Sequence, residues 1–429
     1  MANAQRRIAA RRVSGVQRAR GAAATLTVLA DIWPSMFLIF ATRQEDFGSH
    51  QATRHSVAQH ARGRNWFAPP ALPILTAPVI DEPFLPTIGI LKLRGEAQRA
   101  FHEKAARAAS ARFGRRVFLR GVVEVSNFCR ENCSYCGMRR DNHNLARCRA
   151  RLEALAELLV HHRPVSMTDV NIQAGEDPVV VREVVLPLIR VLRRQTSLGV
   201  SVCLGTLNRA LYHELRCAGA SIYILKFEIA DPGFYSQLEA PGTLAERLEH
   251  IRLLAAAGWN VSSGFIAGLP GQTDDGLLAN FALASQLPLA GCSVSPFIPG
   301  EETPLAKAPT AGIDLTLNCM AALRLMRNDW IIPAVSALNL AEPGAGYRRG
   351  LRTGANLVTI NLTPADLRGD YVLYKRDRFI MTEEGILSAI EAEGLKPSKQ
   401  RLADCCEPRS AAPVRAPHQA VTAVAPLNR

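Results

Sequence analysis

No stretch of this 429-residue chain is long and apolar enough to span a bilayer. The best run, "DIWPSMFLIFATR", is broken by proline and falls well short of the roughly 20 apolar residues a spanning helix needs. No membrane partner is expected. The first 30 residues contain no acid. They are rich in Arg and Ala and lack a clean apolar stripe, so 1–67 reads as a poorly ordered basic extension. It fits a eukaryotic transit peptide, or a start codon set too early, with Met36 as a later start. A disulfide framework would be unusual in so large a chain. Ten mostly scattered cysteines suit reduced thiols in the cytoplasm, or in an organelle if the N-terminus is a transit peptide.

Excess charge is also missing from the middle of the chain. Of the net +13, residues 1–67 hold +7 (10 Arg against 3 acids) and 397–429 hold +3 (5 basic against 2 acidic), leaving +3 for 68–396. The basic excess sits in the tails, so a nucleic-acid partner is not expected.

What is present is a rhythm. Residues 68–116 comprise a proline-broken linker and a helix from about Gly95. From 117 to 396, apolar β-branched runs alternate with helix-like segments. Candidate strands fall at 117–127, 169–175, 200–205, 222–228, 261–268, 292–299, 331–338 and 357–363. Strand–helix repeats of this kind imply parallel strands with helices outside. Eight of them predict an α/β fold, a complete (β/α)8 TIM-type barrel, with a doubly wound open sheet as the alternative. In a barrel, functional residues collect at the C-terminal ends of strands. Residues 397–429 read as a disordered tail.

Directly after the first candidate strand comes "NFCRENCSYCGMRRDN". Cys129, Cys133 and Cys136 follow the spacing C-x3-C-x2-C. Soft thiolates in a tight loop select zinc or an iron–sulfur cluster. Structural zinc wants four protein ligands, and His143 could complete a Cys3His set. A cubane with three thiolates instead leaves one iron open for a chelating ligand. The adjacent Cys405 and Cys406 mimic an auxiliary cluster site, although neighbouring cysteines rarely serve one cluster well.

This motif, with Tyr135 before the last cysteine, resembles the radical S-adenosylmethionine (radical SAM) superfamily. "LRGVVEVSNFCRENCSYCGMRRDN", "QAGEDP", "ILKFEIADPGFYSQL", "AERLEHI", "GFIAGLPGQT", "PFIPGEETPLA", "GLRTGANLV" and "NLTP…YVLY" run in order over about 117–374. They look like its biotin synthase-like branch, and like the HydE maturases of [FeFe]-hydrogenase, with the methylornithine synthases (PylB) next. The resemblance implies a [4Fe-4S] cluster held by the three cysteines and S-adenosylmethionine on the open iron. Reductive cleavage would then yield a 5′-deoxyadenosyl radical that abstracts hydrogen from a small-molecule substrate. It implies an electron donor such as flavodoxin or ferredoxin.

The same resemblance assigns cofactor roles. Ala174, Gly175 and Glu176 would meet the S-adenosylmethionine ammonium. Glu228 would help hold the cofactor and Arg247 would grip its carboxylate. Gly268, Leu269 and Pro270 would approach the adenosine, and Pro296 and Ile298 the adenine. Tyr135 belongs to the same set. Candidate substrate-pocket residues are Phe227, Thr359, Asn361, Thr363 and Tyr374. The chain departs from the HydE pattern at Phe227 (usually His), at Thr359-Ile360-Asn361 (usually Met-Pro-Asn) and at Cys148 (often aromatic). The departures place the substrate, rather than the cofactor, in question. A biotin synthase- or methylornithine synthase-like enzyme of small-molecule biosynthesis is one alternative. A non-catalytic iron–sulfur or zinc scaffold is another.

Overall fold

The structure, a computed structural model, describes residues 84–406. The expectations for 1–67, for the linker up to residue 83, and for 407–429 lie outside the described residues. Eight strands are present among them: β1 (Arg116–Ser126), β2 (Asp169–Ala174), β3 (Gly199–Cys203), β4 (Ile222–Ile224), β5 (Asn260–Ala267), β6 (Gly291–Pro296), β7 (Leu357–Asn361) and β8 (Lys396–Pro397). Their order is β6-β5-β4-β3-β2-β1-β7, with β8 beside the start of β1, and every pairing is parallel. From β1 to β6 the strands follow sequence order without reversal. That is the winding of a barrel wall and excludes the doubly wound sheet, in which the order turns back at a switch point.

A complete ladder does not form between β6 and β7. The strand expected at 331–338 is reduced to single bridges, Gly291 to Ile331 and Pro333 to Leu357. Pro333 has no N–H with which to continue a ladder. The chain then turns into a short helix, Ala337–Ala341. The fold is therefore an open parallel sheet of seven strands, with two bridges across its gap.

β1 shows how the wall divides its side chains. Val117, Leu119, Val123 and Val125 join the main core under the helices. Arg120, Val122 and Glu124 alternate with them and face a cavity inside the wall. The outer layer includes helices Leu152–His161, Leu186–Gln195, Arg209–Ala218, Leu244–Ala256, Asp274–Gln286 and Ile313–Met326. Their starts are fixed locally. The Asn208 side chain accepts from Leu211 N–H, the Thr273 side chain accepts from Gly276 N–H, and Thr243 and Glu246 form a reciprocal capping box. The N-terminal helix runs Gly95–Phe113. It is tied to Ile313–Met326 by Gln98 Nε2 donating to Asn318 Oδ1 at 2.9 Å.

The N-terminal edge of the sheet is stopped by apolar packing. Phe113, Phe118, Ile222, Ile331, Leu357 and Leu402 form one buried cluster there. Residues 397–406, assigned above to the tail, fold back to supply it. Ser398 N–H donates to Val117 C=O at 2.7 Å, and Leu402 N–H donates to the Asp169 carboxylate at 3.0 Å. One leucine in a polar segment gives no periodic signal, which is why the tail reading missed it. Cys405 and Cys406 pack at this floor, the opposite end of the sheet from Cys129.

Candidate active site

The cysteine loop leaves β1 at the C-terminal edge of the sheet. Its backbone is pinned from distant parts of the chain. Arg130 N–H donates to Glu176 C=O (3.3 Å), Ser134 N–H to Leu238 C=O (3.0 Å) and Gly137 N–H to Leu373 C=O (3.3 Å). The Arg147 guanidinium gathers the carbonyls of Asn127 (2.6 Å), Met138 (2.9 Å) and Arg139 (2.6 Å). Gly175 permits close approach of β2 to the loop: a Cβ there would lie 2.2 Å from Phe128 O and 2.9 Å from Cys129 Cβ.

All three cysteines line the cavity. Burial pushes each thiol up, Cys133 well above its ordinary range and Cys136 to about 12. Held as thiolates here, they need a neighbouring positive charge, as iron would provide. Glu176 N–H already points at Cys129 Sγ, 3.4 Å away. His143 is exposed, and among the described residues no three His, Cys, Asp or Glu side chains converge on a single-ion site. The Tyr135 hydroxyl is buried beside Cys133.

Below the loop the cavity, about 380 Å³, runs down the inside of the sheet as far as Leu402. Tyr135, Ala174, Gly175, Glu176, Glu228, Arg247, Pro296 and Ile298 line it, as do Thr359, Asn361 and Tyr374. Five of the sequence-derived residues do not. Gly268, Leu269 and Pro270 lie outside the lining, and Gly268 N–H is taken by Gln272 Oε1 at 2.7 Å. Thr363 is buried and its hydroxyl accepts Glu124 N–H at 2.9 Å, serving the backbone of β1. Phe227 faces the helix layer, its ring 5.9 Å from Phe265. The alternation of β4 carries on past its last ladder residue: Ile222, Ile224, Lys226 and Glu228 line the cavity, while Tyr223, Leu225 and Phe227 are in the core.

Glu176 and Arg247 meet each other. Arg247 Nη1 donates to Glu176 Oε1 at 2.7 Å, while Arg130 and Thr206 serve Oε2 at 3.0 and 3.1 Å. Although burial opposes it, these cations hold the Glu176 carboxyl below its usual range, and the Glu176 carboxylate raises Arg247. Arg247 Nε also donates to Lys226 C=O at 2.9 Å.

Charged residues in the cavity wall escaped sequence reasoning. Lys226 Nζ lies 3.0 Å from Glu228 Oε2. Burial would lower the Lys226 ammonium, but Glu228 more than offsets it and the net shift is upward. Glu228 itself has φ 62°, strained for a non-glycine residue and consistent with a functional position. Arg378 clasps Glu124 with bonds of 2.8 and 2.6 Å. Arg120 and Glu124 carried a signal, charges on one face of an otherwise apolar strand. Arg378, in a loop, carried none.

A parallel barrel-type wall carries three cysteines at its C-terminal edge, Cys133 buried and Cys129 and Cys136 half-buried, and they open into an internal cavity. The model of the Radical SAM superfamily matches residues 123–284. The [FeFe] hydrogenase maturase subunit HydE of Thermotoga maritima is 32% identical over 291 residues, 67% of this chain and 83% of that protein. The 3-methylornithine synthase of Methanosarcina barkeri is 27% identical over 71% of this chain and 87% of that one. The crystal structure of methylornithine synthase (PylB) superposes with a TM-score of 0.65 at 24% identity, covering 75% of this chain and 96% of that chain. The chain belongs to the radical SAM superfamily and is a radical SAM enzyme similar to HydE.

Proposed function

We propose that Cys129, Cys133 and Cys136 hold a [4Fe-4S] cluster and that S-adenosylmethionine occupies the cavity end beneath it. The observation that carries this reading is the opening of three closely spaced cysteines, one buried and two half-buried, into one internal cavity. When bound, cluster and cofactor supply a 5′-deoxyadenosyl radical for hydrogen abstraction. The chain's own residues position and shield. The Glu176–Arg247–Arg130 network fixes the rim where cofactor charges would sit, and Arg247 is the cation there for a carboxylate. Glu228, with Lys226 beside it, is the acceptor for cofactor hydroxyl or ammonium groups. Tyr135, Pro296 and Ile298 give the same rim apolar faces. The bridges at Ile331 and Pro333 support a wall that closes as a complete barrel and keeps water from the reacting centre.

The substrate is a small molecule bound deeper in the cavity, with Thr359, Asn361 and Tyr374 in its wall. Because Phe227 faces the core, the departure from HydE that bears on substrate is Thr359. Electrons come from a reductant protein such as flavodoxin or ferredoxin. Anaerobic reconstitution tests the reading. About four irons per chain are expected, with an electron paramagnetic resonance signal altered by S-adenosylmethionine, and 5′-deoxyadenosine on adding dithionite. Bound zinc without cofactor cleavage would overturn it.

A further inference from the structure

Among the described residues, the arginines in and beside the core are held by ion pairs or several hydrogen bonds, even where one nitrogen is left over, as at Arg139 Nη1 and Arg378 Nε. Arg247 is paired with Glu176 and Arg378 with Glu124. Arg324, fully buried, donates to the carbonyls of Gly354, Asn328 and Trp330 and to Asn356 Oδ1 at 2.8–3.0 Å. Arg120 differs. Its nitrogens make one long hydrogen bond, Nη2 to Thr359 Oγ1 at 3.5 Å, and no ion pair. Its Nε is buried with no partner at all. Yet it lines the cavity.

A guanidinium stays charged at neutral pH, and an uncompensated buried charge is costly. Burial pulls the Arg120 pKa down, and Asp169 offsets this only in part. Asp169 sits beside it in register on β2 but spends its carboxylate on Leu402 N–H and Thr168 Oγ1. No carboxylate of the fold forms an ion pair with this cation, and the space it faces is the cavity.

We propose that Arg120 is the binding site for a carboxylate of the substrate, gripped through Nε and an Nη beside Thr359. The proposal deepens the radical SAM reading above, because it takes the same cavity as the substrate chamber. It assigns the substrate to the carboxylic acids and orients it. The acid end points down toward the floor made by Leu402, and the far end, where hydrogen would be abstracted, points up toward the cysteine loop. Arg120 lies four residues below Glu124 on β1, about 13 Å along the strand. That leaves room for a carbon chain between anchor and cofactor. It also places the anchor apart from Arg247, so cofactor and substrate carboxylates have separate partners.

Binding can be read without turnover. The reconstituted full-length protein is melted in rising sodium acetate at constant ionic strength, with perchlorate as the balancing anion. Acetate is expected to raise the melting temperature of the unaltered chain in a saturable way. Arg120→Met should abolish that rise while melting no lower than the unaltered chain in the absence of acetate, because it removes an uncompensated buried charge. Arg120→Lys should keep a rise with half-saturation shifted upward about tenfold. An equal acetate response in Arg120→Met, or no response in the unaltered chain, would overturn the inference. Formation of 5′-deoxyadenosine by the unaltered chain is scored separately. If that fails while the acetate response holds, the radical reading falls and the carboxylate site stands. If the cofactor is cleaved and acetate does nothing, the carboxylate site falls alone.

Discussion

The two ends of the cavity are built on opposite principles. At the mouth, near the cysteine loop, charges are dense and mutually satisfied: Glu176 with Arg247 and Arg130, Glu124 with Arg378, Glu228 with Lys226. At the base, aromatic and aliphatic side chains close the sheet around Leu402, and Nε of Arg120 above them is left without a partner. A mouth of paired charges is rigid before anything binds, which is what positioning a cofactor requires. A base of packed hydrocarbon seals the chamber. The difference separates holding from sealing, and each can be broken without the other.

The largest effect is expected at the mouth. Replacing Cys133, or either partner cysteine, by Ala should remove the cluster and all 5′-deoxyadenosine formation while the fold persists, read by iron content, activity and circular dichroism. Arg247→Leu leaves Glu176 buried with half its partners. A loss of about 3–5 kcal/mol is expected in denaturant unfolding, together with weakened S-adenosylmethionine binding. Adding Glu176→Leu should restore most of the stability but not the binding; recovery of both would make the pair merely structural. At the base, Leu402→Ala should cost about 2–5 kcal/mol and leave S-adenosylmethionine affinity unchanged in a titration of the reconstituted protein. A matching loss of affinity would join the two ends into one unit.

The smallest effect is in pH dependence, where the ends have opposite signs. Glu176 is held below its unfolded value, so its contribution is present above about pH 4.5 and is lost as pH falls through its lower folded value. Asp169 at the base is pushed up by burial. Its favourable contribution exists below the unfolded value, near pH 4, and is lost as pH rises through the folded one. Glu176→Gln should therefore flatten the acid limb of the stability profile. Asp169→Asn should steepen it and cost little at pH 7. Parallel shifts in urea midpoints from pH 3 to 7 would contradict the contrast.

Much of the mouth was legible in the sequence and little of the base. The cysteine spacing and the β-branched runs that place it are local signals. The flanking Ser126, Asn127 and Asn142 have local work too: Ser126 Oγ bonds Asp177 at 2.7 Å, Asn127 Nδ2 bonds Ala146 O at 2.7 Å, and Asn142 Nδ2 bonds Gly137 O at 2.7 Å. The apolar run at 331–338 reads as a strand because periodicity does not register Pro333. Phe227 shares its face with Tyr223 and Leu225 in the core, so strand alternation alone would have kept it out of the pocket. Leu402 and Arg378 act through partners far along the chain, Asp169 and Glu124, which no local pattern announces.

The pinning of the cysteine loop has a consequence in time. Asn127 Nδ2 donates to Asp370 O, 243 residues later in the chain, and Gly137 waits for Leu373. At about 5–20 residues per second, a ribosome needs on the order of ten seconds or more after making the last cysteine to produce those acceptors. Throughout that interval the thiols exist without their site. The loop therefore takes its final hydrogen-bonded form only once the chain has been made through Leu373.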